Sequence, residues 1–261
     1  MISIITINYN DKKGLEKTLS SIKSQIFKQI ELIIIDGNSN DGSKIIIDRY
    51  DKIITKKIIE KDNGIYDAMN KGIKLATGDF LFFLNSGDTL LNDLSLNNVS
   101  KKLTKKNNGY FFNAIIKSHN LEYKSPRKYN KKYYKINNKF IPNHQAVLFP
   151  RIFYSKNLYD ISMKICSDVD YIFRLSLSNN LYYFDINFVY FELGGVSSNF
   201  KKFSKTLNQI REASYIFSKY KPFRYDILMY IKAKFLIKFF LHNLFSSNYY
   251  KIIKFLNRLK N

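Results

Sequence analysis

Along the first hundred positions, apolar residues fall into short unbroken runs separated by segments with a helical period. Ser3–Asn8, Glu31–Asp36 (ELIIID), Lys57–Glu60 and Phe80–Leu84 (FLFFL) read as strands. Runs that are apolar on both faces predict strands buried inside an α/β sheet. Between them Leu15–Gln25, Ser43–Tyr50 and Tyr66–Leu75 read as helices. This alternation predicts βαβ units with right-handed crossovers and a mixed, mostly parallel sheet flanked by helices. Residues 1–100 are therefore expected to form a Rossmann-like nucleotide-binding half.

The pattern loosens afterwards. Lys101–Asn108 reads as a polar helix end and loop, and Gly109–Ile116 and Gln145–Phe149 as strands. Asp168–Leu177 reads as a helix, followed by separate strands near Tyr182 and Val189. Tyr123–Lys139 mixes basic and aromatic residues without a period and is expected to be a mobile loop over a site. The expected division is a domain over 1–202, with an acceptor half at 101–202, and a helical, basic extension at 203–261.

Composition narrows this picture. A hydrophobic fraction of 45% in 261 residues supports a real core. A single cysteine, Cys166, excludes an intramolecular disulfide framework. Met1 runs straight into the first strand, so no export signal is expected. The formal charge of +22 admits nucleic acid, an anionic membrane surface or phosphorylated substrates as partners. Part of that charge is compositional drift in a chain rich in Lys, Asn, Ile and Tyr.

The rest is concentrated at the end. From Lys219 onward ten basic residues face one acid, Asp226. Lys232, Lys234 and Lys238 interrupt the apolar run Ile227–Phe245, which argues against a spanning helix. Ile252, Phe255, Leu256 and Leu259 share a helical face beside Lys251, Lys254 and Arg258. That pattern predicts a helix lying on an anionic membrane surface, hence a cytoplasmic protein held peripherally on the inner face of the membrane. A helix packed on the domain, or on a partner, is the competing reading.

Candidate chemistry centres on Asp62–Asp88. Asn85-Ser86-Gly87-Asp88 follows a buried strand at its carboxyl end, where open α/β sheets place ligands. A carboxylate there can hold a hard cation and, through it, a diphosphate. Walker A, G-x-G-x-x-G and Cys/His zinc spacings are absent from the sequence, which argues against an NTPase, a dehydrogenase or a zinc site.

The ordered segments SIITINYN, ELIIIDGNSNDGS, KDNGIYDAMNKGIKLATGDFLFFLNSGD, NHQAVLF, CSDVDYIFRL and GGVSSN resemble a bacterial family 2 glycosyltransferase. The similarity is greatest to the branch that builds colanic acid, capsule and O-antigen polysaccharides. It implies a GT-A fold and inverting transfer from a nucleotide-sugar, with a UDP-sugar expected, to a lipid-linked or oligosaccharide acceptor.

By the same resemblance Thr6, Asn8 and Tyr9 line the nucleobase pocket, and Asp36 and Asp62 bond base or ribose. Asp67, Asn70 and Asn85 complete the donor side. Gly37 stands where the family usually has a second acid, and Met69 where it usually has an arginine. Asp88 is the surviving acid of the metal motif, so Mn²⁺ or Mg²⁺ is the expected cofactor. Asp168 is the expected general base. Asp170, paired with Arg174 at i, i+4, is expected to buttress it. His144 and Gln145 are expected on the acceptor side. The Gly194–Ser198 turn is expected near the diphosphate.

Two other classes compete with the enzyme. A catalytically degenerate scaffold is permitted by Asn85 and Met69 but opposed by Asp88 and Asp168. A nucleic-acid-binding protein is favoured only by charge and is not expected. Oligomerisation is left open.

Overall fold

The structure is a computed structural model that describes residues 1–118, 121–126, 129, 132–134, 140–192 and 203–220. Its chain divides into two units, 1–116 with 123–192, and 117–122 with 193–261. The Gly194–Ser198 turn and the expected membrane-facing segment 221–261 lie outside the described residues.

The first unit opens with β1 (Ile2–Asn8), α1 (Lys12–Lys23), β2 (Ile30–Asp36), α2 (Ser43–Arg49), β3 (Lys56–Ile59), α3 (Ile65–Leu75) and β4 (Phe80–Phe83). These match the predicted alternation to within a few residues at each end. β1 pairs in parallel with both β2 and β4, and β2 with β3. Ile4, Ile5, Ile33, Ile34, Ile35 and Phe80–Leu84 are buried, as expected of strands covered on both faces.

Beyond β4 the sheet turns antiparallel. β5 (Thr89–Leu90) and α4 (Ser95–Ser100) lead into β6 (Gly109–Ser118) and β7 (Leu121–Ser125). β8 (Val147–Pro150), α5 (Arg151–Tyr154), α6 (Ser167–Ser178) and β9 (Leu181–Glu192) follow. The strand order is β3-β2-β1-β4-β8-β6-β9-β5, with β7 on β6. β8 runs antiparallel to both β4 and β6, and β5 antiparallel to β9. The result is a mixed sheet in which only the first four strands are parallel.

Three expectations are corrected. The strands near Tyr182 and Val189 are one strand, β9. Gln145 and Ala146 belong to a short 3-10 turn, and the strand begins only at Val147. The start of the basic and aromatic segment is strand β7, and its Tyr133 forms a bridge with Tyr182 on β9. Aromatic packing explains that placement: Tyr129, Tyr134 and Phe140 all contact the ring of Phe111.

In the second unit α7 (Phe203–Tyr220) is helical as expected. Among the described residues no helix is long and apolar enough to cross a membrane.

Candidate active site

The carboxyl ends of β1 and β2 lie in register, with Asn8 opposite Asp36. Asp36 is fully buried and accepts from the Asn8 side-chain amide at 2.7 Å and from the Ser39 amide at 2.7 Å and hydroxyl at 2.8 Å. A buried carboxylate needs such donors. The hydroxyl of Thr6 and the amide oxygens of Asn8 and Asn85 are buried with no protein partner among the described residues. Buried polar atoms of this kind are uncommon, and here three lie on β1 or just past its neighbour β4.

Tyr9 is exposed beside these strand ends. Gly37 shows why no acid stands there. A Cβ on it would lie 2.7 Å from Oδ2 of Asp62 and 3.0 Å from the Tyr9 ring. The other oxygen of Asp62 accepts from the Gly64 amide at 2.9 Å, which fixes the turn into α3. Asp62 thus brings its carboxylate over the position where a side chain at 37 would project. Asp67, in the first turn of α3, accepts from the Asn63 amide at 3.0 Å and lies 3.7 Å from Lys71.

The turn after β4 is tied to α1. The Thr18 hydroxyl lies 2.7 Å from the Asp88 carbonyl and 3.0 Å from that of Gly14, which share its one proton, and accepts from the Gly87 amide at 3.1 Å. Gly87 has φ +94°, a conformation that favours glycine. Asp11 caps α1 through the Gly14 amide and accepts from the Ser86 hydroxyl at 3.0 Å. The Asp88 carboxylate is buried and accepts from the Glu192 amide at 3.2 Å. Burial, together with the nearby Glu192 and Asp11 carboxylates, pushes its pKa well above the usual carboxylate range.

Among the described residues no three His, Cys, Asp or Glu side chains form a metal cage. Asp88 nevertheless fits a cation that takes most of its shell from substrate and water, as Mg²⁺ does. A cation beside it would offset the cost of burying the charged carboxylate and the repulsion from Glu192 and Asp11.

Asp168 stands in the first turn of α6 and is half-buried. Its Oδ1 accepts from the Val169 amide at 2.9 Å and lies 3.2 Å from the Tyr66 hydroxyl. Asp170 is buried and accepts from Nε of Arg174 at 2.8 Å, the expected i, i+4 pair. Arg174 also donates to the Asn157 side chain at 3.1 Å and the Leu158 carbonyl at 2.7 Å. Asp170 therefore braces the segment entering α6.

Two further residues expected to face ligands have internal partners. Asn70 donates to the Tyr159 carbonyl at 3.0 Å and accepts from the Tyr159 amide at 2.8 Å, so its amide clamps that residue from both sides. His144 is buried among the rings of Phe83, Phe149 and Tyr159 and hydrogen bonds to the Tyr159 hydroxyl. Burial pushes its pKa down to about 3, so it is neutral over the working range. Gln145, beside it, is buried, and its backbone N–H donates to the Asn143 side chain at 3.1 Å.

Sequence reasoning missed Ser39, Asp11, Thr18, Tyr66 and Tyr159. Ser39 and Asp11 carry a local signal, as hydroxyl and carboxylate residues at a strand-end turn and a helix start. Tyr159 meets Asn70 across 89 positions, a pairing without a local signature.

Nucleotide-type strand ends on a parallel half-sheet, joined to an antiparallel half that carries a carboxylate at a helix start, define a GT-A fold. The sequence model of the family described as "Glycosyl transferase family 2" matches residues 3–160. The chain belongs to that family. A Mycobacterium tuberculosis protein described as an uncharacterized glycosyltransferase is 30% identical over 183 residues, 67% of this chain and 69% of its own length. A PGL/p-HBAD biosynthesis glycosyltransferase of Mycobacterium bovis is 28% identical over 218 residues, 79% of this chain and 84% of its own. In structure, S. aureus TarS 1-349 in complex with UDP-GlcNAc matches with a TM-score of 0.65 at 17% identity. That match covers 90% of this chain and 71% of TarS 1-349.

Proposed function

We propose that this glycosyltransferase moves one sugar, with inversion, from a UDP-sugar to a lipid-linked or oligosaccharide acceptor in cell-surface polysaccharide or glycolipid assembly. The observation that carries the reading is the set of buried polar atoms of Thr6, Asn8 and Asn85 without a protein partner among the described residues, on β1 and just past β4, with the buried Asp36 beside Asn8 at the end of β2. Support for the donor comes from the UDP-GlcNAc complex of TarS, and for a biosynthetic role from the relative described as a PGL/p-HBAD biosynthesis glycosyltransferase. The colanic-acid, capsule and O-antigen pathways belong to this same class of product.

In the proposed reaction the acceptor hydroxyl oxygen bonds to the anomeric carbon while the carbon–oxygen bond to the nucleoside diphosphate breaks. Asp168 takes the hydroxyl proton, and the bonding electrons leave with the diphosphate. Asp88 would hold Mn²⁺ or Mg²⁺, which when bound neutralises charge on the leaving diphosphate. Asp36 and Asp62 orient the base and ribose, and the exposed Tyr9 ring offers a stacking face. The basic stretch 219–261 would rest on an anionic membrane surface, bringing the site to a lipid-linked acceptor.

The test is turnover of a panel of nucleotide-sugars by the full chain with Mn²⁺ present, alongside calorimetry with UDP with and without the ion. Metal-dependent UDP binding with turnover of one donor class is the expected result. Absence of both would favour the scaffold reading.

A further inference from the structure

The hydroxyl of Tyr66 lies at the entrance of α6, where three groups converge on it. It donates to the Ile165 carbonyl at 2.8 Å, lies 3.2 Å from Oδ1 of Asp168, and accepts from the Asp168 backbone amide. One hydroxyl proton and two lone pairs suffice for this arrangement if the proton is shared between Ile165 and Asp168. The start of α6 has particular use for such a partner. Its N-cap, Cys166, makes no side-chain capping bond, so the Tyr66 hydroxyl serves the first turn as a cap delivered from another helix.

Tyr66 is itself rigidly held. It is buried, and its ring stacks on Tyr159 at 5.5 Å, which in turn stacks on Tyr171 of α6 at 4.1 Å. Asn70, one turn along the same face of α3, clamps the backbone of Tyr159. The tie therefore runs from α3, entered through the Asp62 turn on the donor side, to the carboxylate on the acceptor side. Burial and the nearby Asp168 charge push the pKa of Tyr66 well above 10, so it remains a donor at every working pH.

We propose that Tyr66 is the positioning residue for Asp168, its hydroxyl holding both the carboxylate and the first turn of α6 in the orientation that proton transfer needs. This rests on the reading of Asp168 as general base. A base displaced by about 1 Å can lose on the order of a hundredfold in rate. A carboxylate deprived of a donor also becomes a stronger acid-form holder, because hydrogen bonding favours the charged state. Among the described residues, Tyr66 from α3 and Tyr159 from the preceding loop are titratable groups that interact with the Asp168 charge. Burial raises Tyr159 well above its usual range, so neither tyrosine titrates alongside the carboxylate.

The experiment compares Tyr66→Phe, Asp168→Asn and the double variant for sugar transfer by the full chain, using the donor identified in the nucleotide-sugar panel. Tyr66→Phe keeps the ring stack and removes only the hydroxyl. Its kcat is expected to fall about ten- to a hundredfold, with donor KM within about twofold. The acid limb of its kcat–pH profile should move to higher pH. In the Asp168→Asn background the same change should add nothing further. Wild-type kcat and an unmoved acid limb in Tyr66→Phe, beside an inactive Asp168→Asn, would overturn the positioning role alone. So would an equal loss from Tyr66→Phe in both backgrounds. Full activity of Asp168→Asn would instead remove the base reading on which the inference stands. If Tyr66→Phe does not fold, 3-fluorotyrosine placed at 66 alone supplies the answer. Its stronger donor should move the acid limb to lower pH, and an unmoved limb overturns the proposal.

Discussion

In the parallel half, β3-β2-β1-β4, site residues are placed by their own strands. Asn8 and Asp36 meet because two neighbouring strands end in register. In the antiparallel half, residues are placed by distant partners. Asp168 is reached by Tyr66 across 102 positions, and Tyr159 by Asn70 across 89. The buried charge differs in the same way. Glu31, on β2, is held by Lys56 at 2.7 Å and by Ser3 and Thr77, and its pKa falls to about 2. His144, beside β8, has lost solvent without gaining a counter-charge, and its pKa falls to about 3. One half uses a saturated polar cluster, the other an aromatic enclosure. The geometry of the proposed donor site is thus a local property of the fold, and that of the proposed base a long-range one.

The sharpest way to separate the halves is Asp168→Asn. Transfer should fall by about a thousandfold, while UDP binding, assigned to the parallel half, stays within about twofold in calorimetry. Loss of UDP binding in this variant would merge the two halves into one site.

Phe83→Ala strikes the seam between them. Phe83 is fully buried on β4 and touches the rings of His144, Phe149 and Tyr159. Removing it should lower unfolding free energy by about 3–5 kcal/mol in urea titration. A loss under about 1 kcal/mol would mean that the seam carries little of the stability.

Acid exposure distinguishes the halves by pH window. An unfolded histidine protonates near 6.5, whereas His144 resists protonation down to about 3. Its contribution is therefore complete above pH 6.5 and is lost as pH falls toward 3. Glu31 is depressed from 4.5 to about 2, so its contribution is complete above pH 4.5 and is lost as pH falls toward 2. Urea titrations between pH 6.5 and 4.5 should show a slope that His144→Phe reduces and Glu31→Gln leaves intact. An unchanged slope in His144→Phe would count against the enclosure as its source.

The smallest expected effect is that of Glu31→Gln at neutral pH, about 2 kcal/mol. The substitution leaves Lys56 without its carboxylate partner and turns an amide group toward donors. Donor affinity should not change, since Glu31 lies at the opposite end of β2 from Asp36.

Much of the parallel half was legible in the sequence. Buried strands such as ELIIID and FLFFL announce themselves by unbroken apolar runs, and their carboxyl ends mark where ligands bind. The Asp170–Arg174 pair followed from helical spacing alone. Other elements gave too little signal. β5 has two residues, too few for a period, and pairs with β9 a hundred positions later. β7 was hidden in a basic and aromatic segment because its pairing with β6, not its own pattern, makes it a strand.

By itself, the sequence determined the alternation of elements, the family and the identity of the acids at strand and helix ends. These depend on periodicities of a few residues and on motif order, which local chemistry enforces. Only the tertiary structure decided the rest. It enclosed His144, turned Asn70 toward a backbone, closed Asp62 over Gly37 and delivered the Tyr66 hydroxyl to Asp168. Those contacts join residues far apart in the chain, and packing in three dimensions selects them without leaving a trace in the spacing of residues along it.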